Sequence, residues 1–234
     1  MTEPPSSFLV RRRRAVRRRA RRLLVALLVV ALIGAAVWTL GFSTVLTVKT
    51  VAVQGNSLLS SDDVVAAAAV PMGTPLVRVD TAAVAARVGA LPAVGSATVV
   101  RRWPGTIEVR VKERAIVYQI PVGSTYVWIS ADGVGFNHSD DPQPVITADV
   151  AMDDQRLLAD IATVVLALPD ELKTGVTSIT AGSRDSITLW LDGGRQVMWG
   201  GAGQSDLKAQ VVVPLLTVPG REYDVSSPGH PAVR

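Results

Sequence analysis

Arg101-Arg102-Trp103-Pro104-Gly105-Thr106-Ile107-Glu108-Val109-Arg110-Val111-Lys112-Glu113-Arg114 is the most sharply patterned stretch of the chain. Ile107, Val109 and Val111 alternate with Glu108, Arg110, Lys112 and Arg114. A strand over Thr106 to Arg114 is therefore expected, with one face buried and one solvated. Pro104-Gly105 is a turn signal, and Val94 to Trp103 reads as the preceding strand.

Working upstream, Val48 to Gln54 alternates as a strand, with Val51 and Val53 facing one way. Gly55-Asn56 marks a turn. Ser60 is placed to cap a helix, with Asp63 three residues on as a short capping box. That helix runs to about Ala69, where Pro71 and Gly73 stop it. After a connection from Thr74 to Val79, Asp80 or Thr81 caps a second helix carrying Val84, Val88 and Leu91, and Pro92 ends it. The expected order is strand, helix, helix, strand, strand, an α+β module.

Several of these segments carry a resemblance. They are Val51-x-Val53-x-Gly55-Asn56, Gly73-x-Pro75-Leu76, Leu91-Pro92-x-Val94, and Arg102-Trp103-Pro104-Gly105-Thr106-Ile107 through Val109, Val111, Glu113 and Arg114. In this order and spacing they resemble the POTRA domain of the FtsQ/DivIB family, single-pass bacterial cell-division proteins.

Downstream the chain turns β-rich. Short strands are expected at Tyr118 to Pro121, Thr125 to Ser130 and Val134 to Phe136, with Asp132-Gly133 as a turn and His138 to Pro144 as a polar loop. Asp153 and Asp154 open a helix striped by Leu157, Leu158, Ile161, Val165 and Leu168, and Pro169 closes it. Strands follow at Val176 to Thr180 and at Ile187 to Leu191, then a Gly193-Gly194 hairpin into Arg195 to Trp199. A helix begins at Asp206 and kinks or ends at Pro214. Tyr223 to Ser226 reads as the final short strand. This region resembles the β domain that follows POTRA in the same family.

The N-terminal segment sets the expected location. Arg11, Arg12, Arg13, Arg14, Arg17, Arg18, Arg19, Arg21 and Arg22 precede a run from Leu23 to Val48 with no charged residue. About 20 apolar residues rise about 30 Å as a helix, enough to cross a bilayer core, and arginine clusters stay cytoplasmic. A cleaved signal peptide would have a shorter apolar run of about 7–15 residues. A nucleic-acid-binding arm explains the arginines less simply than an orientation signal does. The expected layout is 1–22 cytoplasmic tail, 23–44 transmembrane helix, 46–115 POTRA domain and 116–234 β domain. The net charge of +4 belongs to the tail. Without the nine arginines and Glu3 of residues 1–22, 15 basic and 19 acidic residues remain, a net of −4.

No catalytic constellation stands out, and neither a cofactor nor a metal site is expected. Cysteine is absent and the histidines are His138 and His230. His138 beside Ser139, Asp140 and Asp141 reads as a solvated loop. Gly200-Gly201-Ala202-Gly203-Gln204-Ser205-Asp206-Leu207-Lys208 lacks the Gly-Lys-Ser/Thr ending of a phosphate loop and reads as a hairpin exit before a helix. Trp103 reads as a packed strand-end aromatic, and Trp128, Trp190 and Trp199 as core or sheet-face residues. Arg101, Arg102, Arg110, Lys112 and Arg114 form a candidate docking face for a partner or lipid headgroups.

An edge strand near the C-terminus is the better functional candidate, because unpaired backbone groups accept a partner's strand. The resemblance implies that partners like FtsB/DivIC and FtsL engage this end of the β domain, with FtsW and the septal transpeptidase as further partners. Carried over by position, the site residues are Tyr223, Asp224, Val225, Ser226 and Ser227, with Ala232 and Val233. The function implied is a non-enzymatic scaffold at the division septum, in the bacterial cell membrane, linking early and late division proteins and controlling septal wall synthesis. The alternatives are a membrane-anchored extracytoplasmic cell-wall enzyme and a POTRA-bearing polypeptide-transport component.

Overall fold

The computed structural model of the chain describes residues 21–35, 38 and 46–234. Residues 21–35 are helical, with Leu23, Leu24, Leu27, Leu28 and Ile33 exposed. Among the described residues, no helix is long and apolar enough to cross a membrane. The expected span at 23–44 lies partly outside the described residues, and Arg11 to Arg19 lie wholly outside them.

The first module comprises β1 (Thr50–Gln54), α1 (Ser61–Ala68), a 3-10 turn (Leu76–Arg78), α2 (Thr81–Gly89), β2 (Val94–Arg102) and β3 (Thr106–Glu113). Its sheet runs β1-β3-β2, with β1 parallel to β3 from Thr50↔Thr106 to Gln54↔Arg110. β3 takes the centre because its alternation gives a continuous apolar face. Ile107, Val109 and Val111 are buried, while Arg110 and Lys112 are exposed. The helices bury Val64, Ala68, Val84 and Val88. Asp80 caps α2 as its sequence position suggests, its Oδ1 accepting from the Ala82 and Ala83 amides at 3.0 Å.

The second region has two sheets. β4 (Tyr118–Val122), β5 (Thr125–Ile129) and β6 (Gly135–Ser139) form an antiparallel meander. The larger sheet has the order β12-β11-β10-β9-β8-β7. Its strands are β7 (Ala148–Asp149), β8 (Val176–Ala181), β9 (Ile187–Leu191), β10 (Arg195–Gly200), β11 (Glu222–Asp224) and β12 (Ala232–Val233). Between them lie α3 (Gln155–Ala167), α4 (Asp170–Lys173) and α5 (Ser205–Leu215). The pairs β7–β8 and β10–β11 are parallel. Parallel neighbours need a long crossover, and these are the pairs separated by helices. One core contains Tyr118, Ile161, Ile179, Ile187, Leu189, Trp199 and Tyr223, all essentially without exposure.

Contacts divide the chain into two compact units. One holds the described part of Met1–Gln54 with Ser61–Arg87 and Thr98–Arg110; the other holds Gly55–Ser60, Val88–Ala97 and Val111–Arg234.

The structure departs from expectation at short elements. β7, α4 and β12 carry no readable pattern, because two to four residues are too few for periodicity. His138 belongs to β6, opposite Val127, rather than to a loop.

Candidate functional site

The terminal edge is β12, not the Tyr223–Ser226 strand expected from sequence. β11 pairs with β10 on one side, Gln196↔Glu222 to Met198↔Asp224, and with β12 on the other, Tyr223↔Val233 and Asp224↔Ala232. Tyr223 and Val225 are buried. The Tyr223 hydroxyl donates to the carbonyls of Val218 and Gly220, 2.9 Å each. Val225 N–H donates to Met198 O at 3.0 Å. These two residues therefore hold the sheet from within.

Asp224, Ser226 and Ser227 shape the return of the chain. Asp224 Oδ1 accepts from Ser226 N at 2.9 Å and Ser226 Oγ at 2.6 Å. His230 N donates to Ser227 O at 2.9 Å, closing a turn through Pro228-Gly229. That Pro-Gly pair was the one sequence signal for a further hairpin.

Arg234 N donates to Glu222 O at 2.9 Å, and Glu222 N donates to Arg234 O at 3.0 Å. Bonded pairs alternate along an antiparallel ladder. The register therefore turns the N–H and C=O of Val233 away from β11, toward the open side of the sheet.

The five basic residues divide between roles. Arg101 donates from Nε to Leu76 O at 2.9 Å and from Nη2 to Val79 O at 2.7 Å, fixing the 3-10 turn. Arg114 donates to Pro92 O at 2.9 Å and pairs with Asp132. Arg102 and Arg110 share the carboxylate of Glu108, whose side chain is 9% exposed. Hydrogen bonding from Arg102, opposed by burial and helped by Arg110, holds the Glu108 carboxyl below its ordinary value. Lys112 is exposed. The solvated face thus keeps Arg102, Arg110 and Lys112.

Sequence reasoning missed the role of Glu113. Its carboxylate accepts from the backbone amides of Ser57, Leu58 and Leu59, each at about 2.9 Å. It also missed the inward turn of Lys208. This buried ammonium donates to Trp199 O at 2.9 Å and Gly201 O at 2.8 Å. Burial lowers its pKa, and Asp224 opposes that shift. The glycine-rich segment before α5 is thus tied by its own lysine.

The aromatic residues also part company. Trp103 is 53% exposed, against the expectation of a packed residue. Trp199 is buried and donates to Ser205 Oγ at 3.2 Å, while Trp190 is part-exposed and donates to Thr180 Oγ1 at 2.9 Å. Trp128 meets Phe136 edge-on with centroids 6.1 Å apart.

The residues around His138 do not converge. His138, Asp140 and Asp141 are exposed, and the Ser139 hydroxyl donates to the Asp141 backbone carbonyl at 2.7 Å. Among the described residues, no group of three or more His, Asp or Glu is placed to hold a metal ion. A shallow groove lined by Ile116, Val117, Val145, Ile146, Leu166 and Val176 carries neither histidine.

A βααββ module with a parallel β1–β3 pair, followed by a mixed sheet with an open terminal edge, defines a POTRA-bearing α+β protein. The family profile for the FtsQ-type POTRA domain matches residues 46–114, and that for the C-terminal region of cell division protein FtsQ/DivIB matches residues 119–225. Cell division protein FtsQ of Streptomyces venezuelae is 38% identical over 214 residues, covering 86% of this chain and 79% of that one. The FtsQ proteins of Mycobacteroides abscessus and Mycolicibacterium smegmatis are 37% and 36% identical over 83% and 87% of this chain. The aligned part spans 64% and 63% of those two, less than two thirds of their length. The chain belongs to the FtsQ/DivIB family of cell division proteins.

Proposed function

We propose that this chain is a single-pass membrane scaffold of the division machinery that captures a partner by strand addition at β12. Residues 1–22 stay cytoplasmic, residues 23–44 span the membrane, and residues 46–115 and 116–234 form a POTRA domain and a β domain outside it. The chain works through protein contacts rather than catalysis. It links early and late division proteins at the septum and helps control septal peptidoglycan synthesis. Partners resemble FtsB/DivIC and FtsL, with FtsW and the septal transpeptidase beyond them.

The observation that carries the reading is the outward-facing amide and carbonyl of Val233 on the last strand of a six-stranded sheet. A partner strand laid there pairs with the open edge without disturbing the Glu222–Arg234 bonds. Anchoring in one bilayer raises the effective concentration of both proteins, so a short edge suffices.

Val233→Pro removes the outward N–H and leaves the bonds at Arg234 in place. A lost hydrogen bond is worth about 0.5–1.5 kcal/mol, so capture of an FtsB/DivIC-like partner should weaken roughly two- to tenfold. The thermal melt should move little. Capture that is unchanged by this substitution would remove the edge from the function. Val225→Pro is a poorer test, since it breaks the bond to Met198 O and unseats a buried side chain.

A further inference from the structure

The loops that grip the chain at Val48 and Lys49 are built for a different neighbour. Val48 N donates to Thr74 O at 2.9 Å, and Gly73 N donates to Val48 O at 2.9 Å. Thr47 bridges Pro75. From the other side, Lys49 N and Thr50 N donate to Gly105 O at 2.7 and 3.2 Å. Two loops therefore clasp the start of the module, one at residues 71–78 and one at the β2–β3 turn.

Both loops spend large apolar side chains on solvent. Met72 is 60% exposed, Val77 52% and Trp103 53%. The same segments carry Lys49, Arg78, Arg101 and Arg102, and residues 71–79 and 101–107 contain no acidic residue. Glu108 is shared by Arg102 and Arg110, and Asp80, next along the chain, accepts from the amides that open α2, so cations outnumber carboxylates across these segments. Tryptophan among cations is the composition of a membrane–water interface, where the ring sits at headgroup level and anionic lipid attracts Lys and Arg.

Chain length decides where this surface lies. If residues 23–44 span the bilayer, Thr47 follows about three residues later, within about 10 Å along an extended chain. The headgroup layer on each side is about 5–8 Å thick. Loops hydrogen-bonded to Val48 and Lys49 are then held against that layer.

We propose that Trp103, Met72 and Val77, with Lys49, Arg78 and Arg102, dock the first module onto the anionic surface of the bilayer. This rests on the anchor reading of residues 23–44. Docking restricts the swing of the module on its short exit from the membrane.

The chain has no cysteine, so single-cysteine variants label cleanly. Full-length chain is placed in nanodiscs of phosphatidylcholine and phosphatidylglycerol, with an environment-sensitive dye on Val77→Cys. Lipids spin-labelled near the headgroup act as quenchers. Companion dyes on Trp38→Cys and Ser183→Cys report the span and bulk solvent. The dye at position 77 should be blue-shifted and quenched, and the dye at 183 should not. Trp103→Ser in the Val77→Cys chain should reduce the quenching, as should removal of phosphatidylglycerol or added salt, which screens exposed charge. Circular dichroism of each variant checks that the fold is retained. Quenching at 38 with position 77 behaving like 183 overturns the docking and leaves the anchor standing. Lack of quenching at 38 overturns the anchor reading, and the docking with it. Quenching indifferent to Trp103→Ser removes Trp103 from the surface. A dye at 77 shielded only when division partners are added assigns the patch to a protein and overturns the lipid assignment.

Discussion

Glu113 shows how much one side chain organises. It ends β3, and it satisfies three consecutive amides of the loop between β1 and α1. Without it, Ser57, Leu58 and Leu59 lose a common acceptor. Hydrogen bonds to charged groups are worth about 1.5–3 kcal/mol, so Glu113→Gln should cost on the order of 1–3 kcal/mol in the full chain, read by thermal denaturation. Burial alone would raise this carboxyl, but the bonds from Leu59, Leu58 and Ser57 outweigh it and hold it below its ordinary value of 4.5. A depressed folded pKa gives stability that is fully present above the ordinary value and lost as pH falls through the folded one. The difference between the native chain and Glu113→Gln should therefore be constant near neutral pH and shrink below about pH 4. A gap that widens on acidification would show that the carboxylate is not the acceptor. Lys208 in α5 is the contrasting case: its ammonium has two carbonyl acceptors, yet burial prevails and lowers its pKa.

At the scale of elements, α3 is the helix most legible in sequence and the one most exposed to a local test. Leu157, Leu158, Ile161 and Val165 are buried along one stripe. The Asp154 carboxylate accepts from Arg156 N at 2.9 Å and Leu157 N at 3.2 Å. Asp154→Ala should cost about 0.5–2 kcal/mol, and Asp154→Asn should recover most of it. Equal melts for the native chain and Asp154→Ala would show that the cap is idle. The turn before this helix is under a tighter constraint. Gly133 has φ of +73°, and a Cβ there would lie 2.5 Å from Ala159 N and Gln155 O. Asp132-Gly133 was readable as a turn, but its close approach to α3 was not, since that depends on how the helix returns across the chain.

For the molecule as a whole, family membership and a division role rest on matches covering most of the chain. Membrane orientation is tested by labelling. In intact cells, Ser6→Cys should resist an impermeant thiol reagent, while Ser183→Cys should react. The reverse pattern would overturn the proposed topology. The sequence by itself determined the βααββ order, the α3 stripe and the hairpin of β9 and β10, because apolar periodicity and turn residues are local signals. It also determined that the basic charge is concentrated in residues 1–22. Tertiary structure alone decided which strand ends the sheet. β12 has two residues and is held by its pairing with Tyr223 and Asp224 and by the bonds that Arg234 exchanges with Glu222. It alone decided that Arg101 serves carbonyls 22 and 25 positions away, and that Glu113 reaches Ser57 across 56. Pairings between groups so far apart in the chain leave no periodic trace, so only the folded backbone brings donor and acceptor within bonding distance.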